Sequence, residues 1–344
     1  MHSILKKIAE HEPLTREEAA RAMRLLLDGN AGPEETAGLL LGLRSRGESL
    51  EELTGFTEVM RAHALPVALP DEDAIDIVGT GGDGAKTFNV STAAAIVCAG
   101  AGAVVAKHGN RSVSSRCGAA EVLEELGVET NLGPRGAEYC LEQVGLTFLY
   151  APRFHPAMRH VMPVRRALGV RTCFNILGPL CNPAGVRRYV VGAFSLSLAE
   201  MMSGILLALG ARSLITVHSD DGLDEVSISA PTTLFTGPDS NGRIARTRIK
   251  PEDAGIPSAP AKSVLGGDTA ENAAIIRSIL GGAIGPRRDI VVLNAAVALH
   301  AGERAASVRE GVEMAADSLD SGRAAASLAR LVEASQEAPR DETE

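Results

Sequence analysis

The chain has 344 residues, 45% of them apolar and 22% charged, which is enough for a large core and excludes global disorder. Thirty-four basic against 43 acidic residues leave a formal charge of −9, the wrong sign for a protein that grips nucleic acid through its phosphates. Aromatic residues at 3% with no Trp argue equally against base-stacking platforms.

In chain order, the first 65 residues read as three or four short amphipathic helices. Thr15 and Glu18 form a capping box before AARAMRLLL, and Gly29 can close that helix. Pro33 suits a first helical turn, and its segment stops at Gly47. Ser49 and Glu52 form a second capping box for a helix reaching about His63. Pro66 and Pro70 then mark a boundary. The expected organisation is a small helical domain over 1–66 and a large α/β domain over 70–335. A helical insertion at about 155–185 packs on the small domain, and a flexible tail covers 336–344.

Beyond the boundary, strands alternate with helices. Strand candidates are 75–78, 104–105, 146–152, 189–194, 213–219 and 289–295. Residues 91–99 and 119–126 read as helices. This pattern predicts right-handed βαβ units and a mostly parallel central sheet. Residues 155–168 form an Arg-rich helix that interrupts the alternation. Residues 230–268 look irregular, with room for short antiparallel strands. The most apolar stretch, 93–106, is too short to span a membrane. Cys98, Cys117, Cys140, Cys173 and Cys181 contain no CxxC pair, so zinc and redox motifs are absent. Together with an N-terminus lacking an apolar leader, they predict inert thiols and a cytoplasmic location.

Four segments could carry chemistry. The first strand empties into GTGGDGAKTFNVST, 79–92. Gly79, Gly81 and Gly84 satisfy G-x-G-x-x-G literally, but the acidic residue a dinucleotide site needs about 20 positions on is replaced by Lys107. A P-loop fails because Ala85 separates Gly84 from Lys86. What remains is a tight glycine loop or an anion cradle at a helix start. The second strand runs into a cationic, hydroxyl-rich loop, KHGNRSVSS, 107–115. Two such loops at neighbouring strand ends describe a polyphosphate site. SDDGLDEVS, 219–227, follows a later strand. Beside phosphates its carboxylates suit Mg²⁺ better than an acid–base pair. In 155–183, Arg165 and Arg166 suit a carboxylate. His155 and His160 are acid–base candidates or plain packing residues, and Gly178 with Pro179 walls a pocket.

GTGGDG with TFNVST, KHGNRSVSS, HPAMRHVMPVRRALGVRTCFNILGPLCNPAG and DGLDE, in this order and spacing, resemble the anthranilate phosphoribosyltransferases over nearly the whole chain. The resemblance implies an enzyme of tryptophan biosynthesis that joins anthranilate to phosphoribosyl pyrophosphate (PRPP) and releases pyrophosphate. It also implies the two-domain fold and a homodimer through the small domain. Residue by residue, it implies that Gly79, Gly82, Asp83, Thr87, Asn89, Val90, Ser91 and Thr92 hold PRPP, with Lys107 and Ser115 closing on it. Ser91, Asp224 and Glu225 would hold Mg²⁺. His108, Asn110, Arg165 and Gly178 would line the anthranilate path, with Lys107, Arg165 and Asn110 the catalytic group. One departure stands at Ala119, where the family often has a serine that contacts phosphate. Rerouting that hydrogen bond is expected to cost about 1 kcal/mol. The alternatives are a pyrimidine nucleoside phosphorylase and a non-catalytic nucleic-acid-binding relative of the same fold.

Overall fold

The structure is a computed structural model and describes residues 1–70, 72–112 and 116–341. Four helices open the chain: α1 (His2–Ala9), α2 (Arg16–Leu27), α3 (Pro33–Arg46) and α4 (Leu50–Ala62). Both expected capping boxes form. Thr15 Oγ1 accepts from the Glu18 amide at 3.2 Å, and Ser49 Oγ accepts from the Glu52 amide at 3.2 Å. Glu52 does more than cap. Its side chain is 0% exposed, and its carboxylate also accepts from the Leu14 amide at 2.8 Å and from Arg46 Nη2 at 2.5 Å. One buried charge thereby ties the ends of three helices together, with its acceptor capacity used.

The rest of the chain builds one layered α/β unit. In order come β1 (Ile75–Gly79), α5 (Val90–Gly100), β2 (Val105–Gly109), α6 (Ala119–Glu125), α7 (Pro134–Val144) and β3 (Leu146–Tyr150). The insertion follows, with α8 (Ala151–Phe154), α9 (Met162–Leu168) and α10 (Phe174–Leu177). Then come β4 (Arg188–Gly192), α11 (Leu196–Ala208), β5 (Ser213–Ser219), β6 (Thr232–Gly237) and β7 (Ala245–Ile249). Four helices close the chain: α12 (Thr269–Leu280), α13 (Pro286–Ala301), α14 (Val308–Asp320) and α15 (Arg323–Glu337). The sheet order is β3-β2-β1-β4-β5-β6-β7. Its first five strands are parallel, and β6 and β7 add antiparallel edges. This is the expected fold class.

Side chains alternate between two cores, as the period of two requires. Ile75, Ile77, Val190 and Ile215 face α5 and α13 on one side. Tyr189, Val191 and Leu214 face α11 and the N-terminal helices on the other. The chain leaves β1 toward β2 and β3, then returns to lay β4 on β1's other flank. That reversal leaves a crevice at the carboxyl ends of β1 and β4, the usual binding position in an open sheet.

Four expectations need correction. Residues 289–295 are the middle of α13, not a strand. Their β-branched run is buried all round, and Pro286 at the first turn with an Ala-rich continuation favours a 16-residue helix. The helix expected over 155–168 is broken. Pro156 opens a 3₁₀ turn to His160, and α9 starts anew beside Pro163. The tail expected to be flexible over 336–344 is helical to Glu337, and Asp341 pairs with Arg153 at 3.5 Å, while 342–344 lie outside the described residues. The loop expected from Lys107 begins later, because Lys107 and His108 belong to β2 and are buried.

The Glu52 tie yields a prediction. Glu52→Ala strands Arg46 and the Leu14 amide, and is expected to lower unfolding free energy by about 3 kcal/mol in urea titration. A loss below about 1 kcal/mol would show that the tie contributes little.

Candidate active site

At the crevice, the glycine loop after β1 and the acidic loop after β5 fold onto each other. A Cβ on Gly79 would sit 2.6 Å from Asp224 Oδ2, and one on Gly192 would overlap the Asp224 backbone. Glycine is therefore required at both strand ends for this close approach. In return, the Gly81 amide donates to Asp224 Oδ2 at 2.7 Å, and the Ser91 amide donates to Glu225 Oε1 at 3.2 Å. Gly81 and Gly82 both have positive φ. Burial pushes the Asp224 carboxyl well above its ordinary range, and the nearby Asp83 charge adds to the shift. Glu225 moves the same way, through burial and the Asp224 charge.

Lys107 supplies the opposing charge. It is 3% exposed. Its Nζ donates to the Ile77 carbonyl and, at 3.3 Å, to Ser91 Oγ. Burial lowers its pKa, and the charges of Asp76, Glu225 and Asp224 offset only part of that shift. Asp76, in the middle of β1, accepts from the His108 amide at 3.1 Å. Burial raises its carboxyl to about 6 against the pull of Lys107.

His108 points the other way. Its Nδ1 lies 3.1 Å from the Gly178 carbonyl, which can only accept, so Nδ1 carries the hydrogen and Nε2 is an acceptor. That buried Nε2 has no partner among the described residues. The His155 ring stands 5.2 Å away, and its Nε2 is likewise unpartnered. Burial depresses the two rings to about 3 and about 4, so both are neutral at pH 7.

The insertion brings the cations. Arg165, on α9, lies over the Phe174 ring at 5.0 Å, and its Nη1 meets Met162 Sδ at 3.5 Å. Among the described residues it has no ion pair, and burial lowers its pKa. Phe174 begins α10, which leads directly to Gly178 and so to His108. Arg171 Nη2 donates to the Gly82 carbonyl at 3.0 Å, and its guanidinium covers Phe194 at 5.1 Å.

The remaining residues singled out in the sequence fall around this centre. Asp83 Oδ1 accepts from the Ala85 amide at 3.2 Å, and Thr87 bridges to Leu265. Asn89 stands just before α5 without a side-chain cap bond, and its amide spans from the Cys117 carbonyl to Asn272. Val90 is buried, and the buried Thr92 Oγ1 has no partner. Asn110 is exposed, its Oδ1 bonded to the Arg111 amide at 2.7 Å. Ala119 is the first residue of α6, and Ser115 lies outside the described residues. All five cysteines are buried.

Sequence reasoning missed Asp76, Arg171 and Asn294, which bonds the backbone beside Glu225. The signal for Asp76 was an acidic residue inside an apolar strand. Arg171 and Asn294 carried no local signal.

A divalent cation fits the donor set. Asp224 and Glu225 offer hard oxygen ligands whose mutual proximity costs free energy until a cation arrives. No group of three or more His, Cys, Asp or Glu suited to a metal occurs among the described residues. Water or substrate oxygens would complete the shell, which suits Mg²⁺ carried with phosphates.

Comparison with known proteins agrees with this geometry. Residues 2–64 match the model described as "Glycosyl transferase family, helical bundle domain", and residues 71–325 match "Glycosyl transferase family, a/b domain". An anthranilate phosphoribosyltransferase from Salinibacter ruber is 54% identical over 98% of this chain and 99% of its own. The crystal structure of the anthranilate phosphoribosyltransferase of Thermus thermophilus superposes with a TM-score of 0.90 at 42% identity, covering 97% and 99% of the two chains. That of Saccharomyces cerevisiae in complex with PRPP and Mg superposes at 0.88 with 28% identity, covering 97% of each. The chain belongs to the anthranilate phosphoribosyltransferase family.

Proposed function

We propose that the protein transfers the phosphoribosyl group of PRPP to the amine of anthranilate, releasing pyrophosphate, as a step of tryptophan biosynthesis. The observation that carries this is the pairing of two unlike half-sites at one crevice. One is a glycine loop facing the buried Asp224 and half-buried Glu225, and the other is a pair of neutral histidines linked through Gly178 and α10 to a half-buried arginine with no ion pair among the described residues. A nucleoside phosphorylase or a nucleic-acid binder has no evident use for this second half.

In this reading Gly79, Gly82, Asp83, Thr87 and residues 89–92 cradle PRPP, with Ser115 and Lys107 contributing from the second loop. Asp224, Glu225 and Ser91 hold Mg²⁺, which supplies positive charge to the leaving pyrophosphate when bound. Lys107, facing Asp76, Asp224 and Glu225, adds an ammonium group at the strand ends. Arg165 grips the anthranilate carboxylate, since a guanidinium withdrawn from water and lacking an ion pair favours an anion. His108 Nε2, kept as an acceptor by the Gly178 carbonyl, takes a hydrogen bond from the amine. Its pKa of about 3 makes it a poor base at neutral pH, so it orients rather than deprotonates. The aromatic amine is neutral and needs chiefly positioning. Asn110 assists that positioning from the exposed end of β2. Ala119 leaves the phosphate one hydroxyl short.

We also propose a cytoplasmic homodimer contacting through the N-terminal helices. Leu41 on α3 is one of four large apolar side chains left exposed among the described residues, and the five buried cysteines suit a reducing compartment. Sedimentation of the wild type against Leu41→Asp separates dimer from monomer.

Loss of anthranilate fluorescence in the presence of protein, PRPP and Mg²⁺ tests the activity. Decay that needs PRPP and stops with EDTA is expected. No decay with folded protein and intact PRPP would mean that anthranilate is not the acceptor. In the same assay Arg165→Ala is expected to raise the anthranilate KM tenfold or more, from a lost charged hydrogen bond of about 1.5–3 kcal/mol, with the PRPP KM nearly unchanged. Equal effects on both would remove Arg165 from its role.

A further inference from the structure

Asn294 is 3% exposed in the middle of α13, a helix otherwise lined by Ile290, Val291, Val292, Leu293, Ala295, Ala296 and Val297. An amide in such a setting is costly unless fully bonded. Its partners are specific. Oδ1 accepts from the Val226 amide at 2.9 Å, and Nδ2 donates to the Val226 carbonyl at 2.9 Å. Nδ2 also donates to the Ile290 carbonyl one turn back at 2.9 Å, which fixes the side chain against its own helix. Both polar groups of one loop residue are thus taken by one side chain, and that residue directly follows Glu225.

The anchor is rigid. A Cβ on Gly311 of α14 would lie 2.5 Å from the Ala296 carbonyl, so the two helix backbones are in direct contact at this level. The segment 224–226 is therefore held from three sides. Gly79 and Gly192 abut Asp224, the amides of Gly81 and Ser91 take the two carboxylates, and Asn294 takes the backbone behind them. Two adjacent carboxylates withdrawn from bulk water repel, and a loop free to move would separate them. A two-point backbone clamp prevents that without placing a further charge near the metal.

We infer that Asn294 is a positioning residue for the metal site: it holds the acidic loop in its ligating arrangement before substrate arrives. This rests on the proposed assignment of Asp224 and Glu225 to Mg²⁺. Outer partners of metal ligands commonly change metal affinity about 10- to 100-fold when removed.

The test is calorimetric binding of PRPP with Mg²⁺ and with EDTA, for the wild type, Asn294→Leu and Asn294→Asp. In the wild type, Mg²⁺ is expected to tighten PRPP binding. In Asn294→Leu that metal-dependent gain is expected to shrink about tenfold, with binding in EDTA unchanged. A folded variant with a lower Tm but an undiminished Mg²⁺ gain would show a merely structural role and overturn the inference. Asn294→Asp, of the same shape but without the amide donors, carries the measurement if Asn294→Leu does not fold. Absence of any Mg²⁺ gain in the wild type would instead remove the metal assignment itself, and the clamp with it. Independently of any variant, amide exchange at Val226 in the free wild type is expected to be slow. Protection that develops only with Mg²⁺ and PRPP would contradict a pre-set loop.

Discussion

Two adjacent carboxylates, Asp224 buried and Glu225 half-buried, are held at the ends of β1 and β4 by the surrounding architecture. Desolvation and mutual repulsion both oppose ionised Asp224 and Glu225. The fold answers with Lys107 beneath, two amides in front and two glycines that admit the loop. The parallel sheet is the frame for this arrangement. Only strands whose carboxyl ends emerge side by side can deliver a glycine loop, a lysine and an acidic turn to one crevice.

The other half of the site follows the opposite rule. His108 and His155 are stripped of charge by burial, and among the described residues Arg165 is a cation without an ion pair. One half is built to complete a divalent charge on a phosphate-rich substrate. The other is built to receive a small aromatic carboxylate beside neutral acceptors. β2 joins them. Lys107 points to the first half and His108 to the second, as successive residues of a strand must. Arg171 adds a direct link from the insertion to the glycine loop through the Gly82 carbonyl.

Much of this was legible in the sequence where the cause was local. Capping boxes at Thr15 and Ser49, Gly-rich turns after strands and alternating strand and helix patterns all act over a few residues. The segments at 79–92, 107–115 and 219–227 were visible because their composition has no place in a plain core. Tertiary causes were hidden. Residues 289–295 look like a strand because burial on every side erases the helical period. Lys107 and His108 looked too polar for a sheet, since the carboxylates and carbonyl that satisfy them lie in distant segments. Asn294 was invisible for the same reason, as its partner residue is 68 positions away.

The most direct test of the central claim is thermal unfolding with Mg²⁺ alone, PRPP alone and both together. If the buried carboxylates exist to complete a metal–phosphate group, the pair should raise Tm by several degrees more than the two single additions combined, since only the joint species binds the native state tightly. Asp224→Asn should abolish that excess. Equal stabilisation by PRPP in EDTA and in Mg²⁺ would contradict the account.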